Sequence, residues 1–243
     1  MERKIIPNVS VDCLVFGFDF DRLHVLLNKR ELRSKETGAV LISDYTLAGH
    51  HVREGENADE AAYRILKRIT GFENIYLEQF YCFSNTDRFQ EKDKLWIKSL
   101  NMDIADHVFS IGYFALVDKR ELQLDEEHQN ACWFPVDDLP ELGFDHAKII
   151  EKGIESLRRK FKEEPIGFEL LPEKFTLTQL QKLYEAVSGK EIDRRNFRKK
   201  VIQFPHIIPL NEKQTGMGTK PAQVYIFSRD VYDRTRKEKM IFA

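Results

Sequence analysis

AGHHVREGENADEAAYRILKRITGF, residues 48–72, decides how the first part of this chain folds. A turn at Gly49 leads into an acidic loop carrying Glu54, Glu56, Asp59 and Glu60. Ala61, Ala62, Ile65, Leu66 and Ile69 then recur at helical spacing and predict an amphipathic helix over residues 58–70. Gly71 stands where a left-handed C-cap belongs. Acids in the first turn complement the helix dipole, which gives Asp59 and Glu60 a structural use. A helix beside such a loop is a common place to hold a metal on carboxylates. Here the helix reads RILKRI (64–69), with no oxygen donor, and Arg64, Lys67 and Arg68 add charge that repels a dication. The frame of such a site is present without its chemistry, so no metal, cofactor or catalytic residue is expected.

On either side of this stretch lie strands. VSVDCLVFGF (9–18) alternates like a half-buried strand, and FDFDRLHVLLNKR adds a turn and a second one. Residues 31–44 form a loop with a short strand. NIYLEQFYCFS (74–84) and VFSIGYFALV (108–117) are β-branched and aromatic strand candidates. The intervening TDRFQEKDKLWIKSLNMDIADH is too polar for core and long for a plain loop. ACWFPVDDLPELGF gives a further strand and a Pro-bounded turn. DHAKIIEKGIESLRRKFKEEP gives an amphipathic helix, with Ala147, Ile149, Ile150, Ile154 and Leu157 on its apolar face.

The 243 residues are 42% apolar, enough for a sizeable core and against wholesale disorder. No stretch has signal-peptide or membrane-span character. Cys13, Cys82 and Cys132 lack metal-ligand spacing and suit reduced core thiols of a cytoplasmic protein. Charge is divided unevenly. Residues 1–160 hold 22 Lys and Arg against 29 Asp and Glu, and residues 161–243 hold 16 against 11. An acidic first part joined to a basic second part points to two tasks, one involving a polyanion.

The basic part predicts two helices in quick succession. Thr176 and Gln179 have capping-box spacing, Leu177, Leu180, Leu183, Tyr184 and Val187 form an apolar stripe, and Gly189 stops the helix. Asp193 caps the next helix, Ile192 and Phe197 have the spacing of a hydrophobic staple, and Phe197 and Val201 face inward. Arg194, Arg195, Arg198 and Lys199 fall on the other side. This is the plan of a helix-turn-helix reader, in which Arg suits guanine and Asn suits adenine, so Arg194, Arg195 and Asn196 are candidate base contacts. HIIPL and AQVYIF, joined by NEKQTGMGTKP, resemble the wing of a winged helix, with Lys213 and Lys220 placed for phosphates.

Residues 48–72 resemble the Nudix box. With its first Glu at Glu56, Arg64, Leu66, Gly71 and Phe72 match, whereas His50, Ile65, Arg68 and Ile69 stand where a glycine and the helical glutamates belong. LAGHH resembles the family's Leu-Pro-Gly-Gly turn. HVLLNKR, GYFALV and WFPVDDLP...FDHAKII follow the family's order across about residues 8–160, which sets the chain apart from one with a chance amphipathic helix. Together with the basic part, the chain resembles the Nudix-related transcriptional regulators.

The resemblance implies an α+β chain. A Nudix-type mixed α/β sandwich (1–160) would sense a ligand without catalysis. A small winged-helix domain (161–243) would bind palindromic operator DNA as a homodimer, most simply as a repressor. By resemblance Lys29, Arg30, His50, His51, Arg53, Glu56, Asp87 and Arg88 flank the ligand pocket. Loss of the metal carboxylates points to an uncharged effector, a pentose such as L-arabinose, with an ADP-ribose-type ligand as the alternative. An active hydrolase of ADP-ribose or a nucleotide sugar, and a module whose winged helix binds protein, are the competing readings.

Overall fold

The structure, a computed structural model, describes residues 3–72, 74–102, 104–122, 130–214 and 221–235. The chain forms two compact units, one of residues 1–17 and 24–155, the other of residues 18–23 and 156–243.

The first unit is built on a seven-stranded sheet with a path β3-β2-β1-β6-β5, where β4 pairs with β1 and β7 with β2. Its strands are β1 (Ile5–Phe18), β2 (Leu23–Arg33), β3 (Val40–Thr46), β4 (Ala48–Arg53), β5 (Tyr76–Phe83), β6 (Phe109–Asp118) and β7 (Ala131–Pro135). β1 is central, so residues 11–18 are all buried and both faces are covered. Alternation along β1 then divides its side chains between two helices.

On one face Val11, Cys13 and Val15 join α1 (Ala58–Thr70) through Ala61, Ala62, Ile65, Leu66 and Ile69. On the other face Leu14 meets α3 (His146–Glu163) at Gly153, where a Cβ would come within 2.2 Å of a Leu14 methyl. α1 begins and ends as its sequence predicts. Asn57 and Glu60 cap each other in a capping box, and Gly71 closes the helix at φ 71°. In α3, Ile149, Ile150 and Leu157 are buried, but Ala147 is exposed, so the apolar face is narrower than the sequence predicts.

The polar segment 86–107 departs most from expectation. It forms α2 (Glu91–Ser99) and buries Arg88 and Asp93 almost completely. Polarity misleads there because each buried charge meets an opposite charge from a distant segment. Of the cysteines, all free, Cys13 is buried and Cys132 half-buried, but Cys82 is exposed on β5 and is no core thiol.

The second unit contains a short 3-10 turn (Ile166–Leu170), β8 (Lys174–Thr176), α4 (Leu177–Ser188), α5 (Arg194–Val201), β9 (Ile207–Gln214), β10 (Ala222–Phe227) and α6 (Arg229–Thr235). Its sheet has the order β8-β10-β9. α4 carries the Thr176–Gln179 capping box and ends at Gly189 with φ 69°. The turn into α5 is clamped by side chains. Gln181 Nε2 donates to the Ile192 carbonyl at 3.0 Å, and Glu185 accepts the Ile192 N–H at 3.0 Å. Asp193 caps α5, and Phe197 packs near Tyr184 with ring centroids 5.9 Å apart. β9 and β10 make the antiparallel hairpin expected of a wing. The tip, including Lys220, lies outside the described residues.

Candidate functional site

A cavity of about 200 Å³ opens in the first unit. Its polar lining comes from β1 (Ser10, Asp12), β4 (Gly49, His50, His51), Arg88 and His146, and its apolar lining includes Phe89, Trp96, Ile97, Val108 and Phe144. Much of the apolar wall therefore comes from the segment around α2.

Asp12 organises the polar side. Its Oδ2 accepts from the Ser110 hydroxyl and from Arg88 Nη2 at 3.5 Å. Arg88 also grips Asp145 through Nε and Nη2 at 2.7 and 2.8 Å. Burial works against the Arg88 charge, but Asp145 and Asp12 more than compensate and raise its pKa. His146 Nδ1 accepts the Leu47 N–H at 2.9 Å, so its neutral ring carries the proton on Nε2, 3.7 Å from Asp12 Oδ1. Burial lowers the His146 pKa, which favours that neutral ring. Gly49 is needed here because a Cβ would lie 2.3 Å from Asp12 Oδ1.

Beyond Arg88 and the two histidines, the predicted ligand residues lie elsewhere. Arg30 is buried on β2 opposite Asp44 and engages both carboxylate oxygens at 2.7 Å, with Asp93 at 2.8 Å. Its guanidinium carbon lies 4.5 Å from the Phe144 ring centroid, so it acts from behind the cavity wall. Lys29 pairs with Glu31 at 3.3 Å, Asp87 is exposed, and Arg53 ends β4; none lines the cavity. Glu56 is consumed by Arg64, at 2.6 and 2.8 Å, and accepts the Arg53 N–H at 2.9 Å. The Arg64 hydrogen bond is the chief cause of its lowered pKa.

Sequence reading missed Asp12, Ser110, Asp145 and His146. Asp12 alone carried a signal, an acid inside the apolar run of a central strand, where an unpaired charge is costly.

The arrangement does not fit a metal. Ile65 and Ile69 are 3% and 6% exposed inside the α1 core. Glu56 is held by Arg64, Glu60 by the helix cap, and Asp59 accepts from the Tyr113 hydroxyl. Among the described residues no group of three or more acids, histidines or cysteines is placed to bind a cation.

In the second unit, α5 exposes Arg194, Arg195, Asn196 and Lys199 and buries Phe197 and Val201. Arg198 is partly buried and donates to Thr178 Oγ1 at 3.1 Å, which ties it back to the start of α4. Lys213 is exposed on β9, opposite Gln223 on β10.

A sheet between two helices, crossed by a Gly-turn, acidic loop and capped helix, and a winged helix-turn-helix define a sensor-and-reader class of chain. Residues 7–153 match the NUDIX domain and residues 167–227 the NrtR DNA-binding winged helix domain, so the chain belongs to the Nudix family, among its winged-helix transcriptional regulators. It is 26% identical over 232 residues to the ADPR responsive transcriptional repressor NtrR of Acinetobacter baylyi, across 93% of this chain and 84% of that one. The crystal structure of Shewanella oneidensis NrtR complexed with a 27mer DNA is similar with a TM-score of 0.72 and 26% identity, over 93% of this chain and 95% of that chain. A shorter similarity, 31% identity over 107 residues, relates 44% of this chain to 55% of the ADP-ribose pyrophosphatase of Methanocaldococcus jannaschii. Among the described residues no helix is long and apolar enough to cross a membrane.

Proposed function

We propose that this chain is a transcriptional repressor of the bacterial cytoplasm that binds palindromic operator DNA as a homodimer and leaves it when its Nudix domain binds ADP-ribose or a close analogue. The observation that carries the reading is similarity to an ADPR responsive repressor over nearly the whole of both chains, sensor and reader together. α5 supports the DNA half, since it exposes Arg194, Arg195, Asn196 and Lys199 while burying Phe197 and Val201. The effector is the point on which the comparison moves the reading, away from the pentose that sequence favours and toward a nucleoside diphosphate sugar. The cavity supports that class because it combines an aromatic wall with a polar floor.

The Nudix domain acts as a sensor and not as a hydrolase. Its support is chemical: the helix positions that would bear metal carboxylates are buried isoleucines and an arginine.

A palindromic duplex selected from a random library, fluorescently labelled and titrated with the full chain, tests this reading. Addition of ADP-ribose should release the DNA, while L-arabinose should leave it bound. Release by arabinose alone would overturn the effector assignment, and no saturable duplex binding would overturn the repressor. Incubation of ADP-ribose with Mg²⁺ should give no turnover; a rate near ~1 s⁻¹, ordinary for an enzyme, would make the domain a hydrolase.

A further inference from the structure

We propose that Thr178 on α4 and Arg198 on α5 form a clamp for one phosphate of the DNA backbone, in which Thr178 positions the Arg198 guanidinium and gives its own hydroxyl proton to the same phosphate. The inference rests on the DNA-binding part of the reading above and sets Arg198 apart from the neighbours expected to read bases.

Placement on the helix comes first. Arg198 directly follows Phe197 and precedes Val201 by three residues, so it stands on the flank of α5 beside the buried pair. Arg195, Asn196 and Lys199 occupy the exposed side. Phosphates border the major groove and base edges form its floor, so a helix lying in the groove meets phosphates with its flanks. α4 borders the flank that carries Arg198. Arg198 Nη2 donates to Thr178 Oγ1 at 3.1 Å, although the two residues are 20 apart in sequence.

Availability decides what the pair can hold. Other cations of the second unit are matched internally, Lys174 by Glu212 at 2.8 Å and Arg229 by Glu169. Among the described residues Arg198 meets no carboxylate; its one hydrogen bond is to Thr178, and its buried Nε has no partner. The inner edge of the guanidinium therefore faces protein, while its charge and its Nη1 protons remain for a ligand. Thr178 is exposed, and its oxygen accepts from Arg198, so its own hydroxyl proton points elsewhere. A phosphate satisfies both donors. One nonbridging oxygen takes Nη1–H, the other takes the Thr178 O–H, and the anion meets the guanidinium charge. The tether also lowers the cost of binding. A free arginine gives up rotamer freedom when it grips DNA, whereas one already held by Thr178 has given it up beforehand.

Titration of the selected palindromic duplex and of a scrambled duplex with the full chain, across a salt series, tests this. Arg198→Met, which keeps the packed stem, should weaken both duplexes about tenfold near ~0.1 M salt and lower the salt slope by about one, the effect of one phosphate contact. Thr178→Val should weaken both by about fivefold with the slope nearly unchanged, since the charge stays, and Thr178→Ser should restore binding. The double variant should lose less than the two single losses multiplied, because the residues act as a unit. Melting temperatures should stay near wild type throughout. A loss confined to the palindrome makes Arg198 a base reader and overturns the clamp, as does unchanged binding of both duplexes; in either case the repressor reading stands. Losses that multiply in the double variant overturn the positioning by Thr178. A wild-type chain that binds neither duplex overturns the clamp and the repressor reading together.

Discussion

Glu56 shows how one residue of the Nudix box is held in this fold. Its side chain is 8% exposed and engages Arg64 through both oxygens. The pair pins the acidic loop to α1, and Arg64 also reaches the His51 carbonyl on β4. Glu56→Gln should cost roughly 1–2 kcal/mol at pH 7, the scale of a charge-assisted hydrogen bond, read from the urea midpoint. The pH dependence follows from the sign of the shift. Arg64 depresses the folded pKa of Glu56, so the stabilisation is present above the ordinary glutamate pKa and disappears as pH falls through the depressed value. The gap between wild type and variant should therefore close in acid; a gap that widened there would place the stabilisation elsewhere. Glu56 and Arg64 are eight residues apart, and their pairing is within reach of sequence reading. Arg88 with Asp145 and Arg30 with Asp93 are not, because 57 and 63 residues separate the partners. A charge in a polar segment looks solvated until the fold supplies its counter-charge, which is why residues 86–107 read as surface and why Asp145 went unseen.

Helices carry most of what sequence does reveal. α1 spans the residues its apolar spacing predicts and stops at its glycine, because both signals are local. Its apolar stripe also answers why the frame persists without the chemistry: Ile65 and Ile69 fill the core between helix and sheet. Ile65→Glu with Ile69→Glu should therefore lower stability by several kcal/mol, as unpaired buried carboxylates do, and yield no Mg²⁺-dependent hydrolysis. A stable, hydrolytically active double variant would show that the space is still a metal pocket. In α5 the division of faces is legible for the same reason, but the tether of Arg198 to Thr178 is not, since it depends on how α4 and α5 cross. Arg194→Ala, Arg195→Ala and Asn196→Ala should each weaken operator binding by roughly 1–3 kcal/mol and relax base preference, leaving the melting temperature unchanged. Lys213→Ala on β9 should weaken every duplex alike and reduce the salt slope by about one. The measurement is affinity for operator and scrambled duplex across a salt series, and equal losses on both duplexes for all three α5 variants would remove that helix from base reading.

At the scale of the molecule, the proposed repressor needs a route from an occupied cavity to DNA affinity. α3 is the element that belongs to both units. Its first residue, His146, lines the cavity and is tied to Leu47, while Asp145 just before it holds Arg88. Its later turns supply Leu157 and Phe161 to the second unit, where Phe161 packs 5.5 Å from Tyr184 of α4. A ligand that shifts Asp12, Arg88 or His146 therefore acts on the start of a helix whose end is part of the reader's core. A helix transmits such a shift because its hydrogen-bonded backbone is stiff along its length. In a dimer on a palindrome, half-site spacing is fixed by the DNA, so displaced readers lose affinity. Saturating ADP-ribose should thus weaken operator binding by roughly 1–3 kcal/mol, and operator should weaken ADP-ribose binding by the same factor, as linkage requires. Inserting two glycines between Glu155 and Ser156, at the division between the units, should leave each single affinity near wild type and remove the coupling. Unchanged coupling in that variant would show that the signal bypasses α3. Identical operator affinity with and without ADP-ribose in the wild-type chain would leave the Nudix domain without influence on the reader.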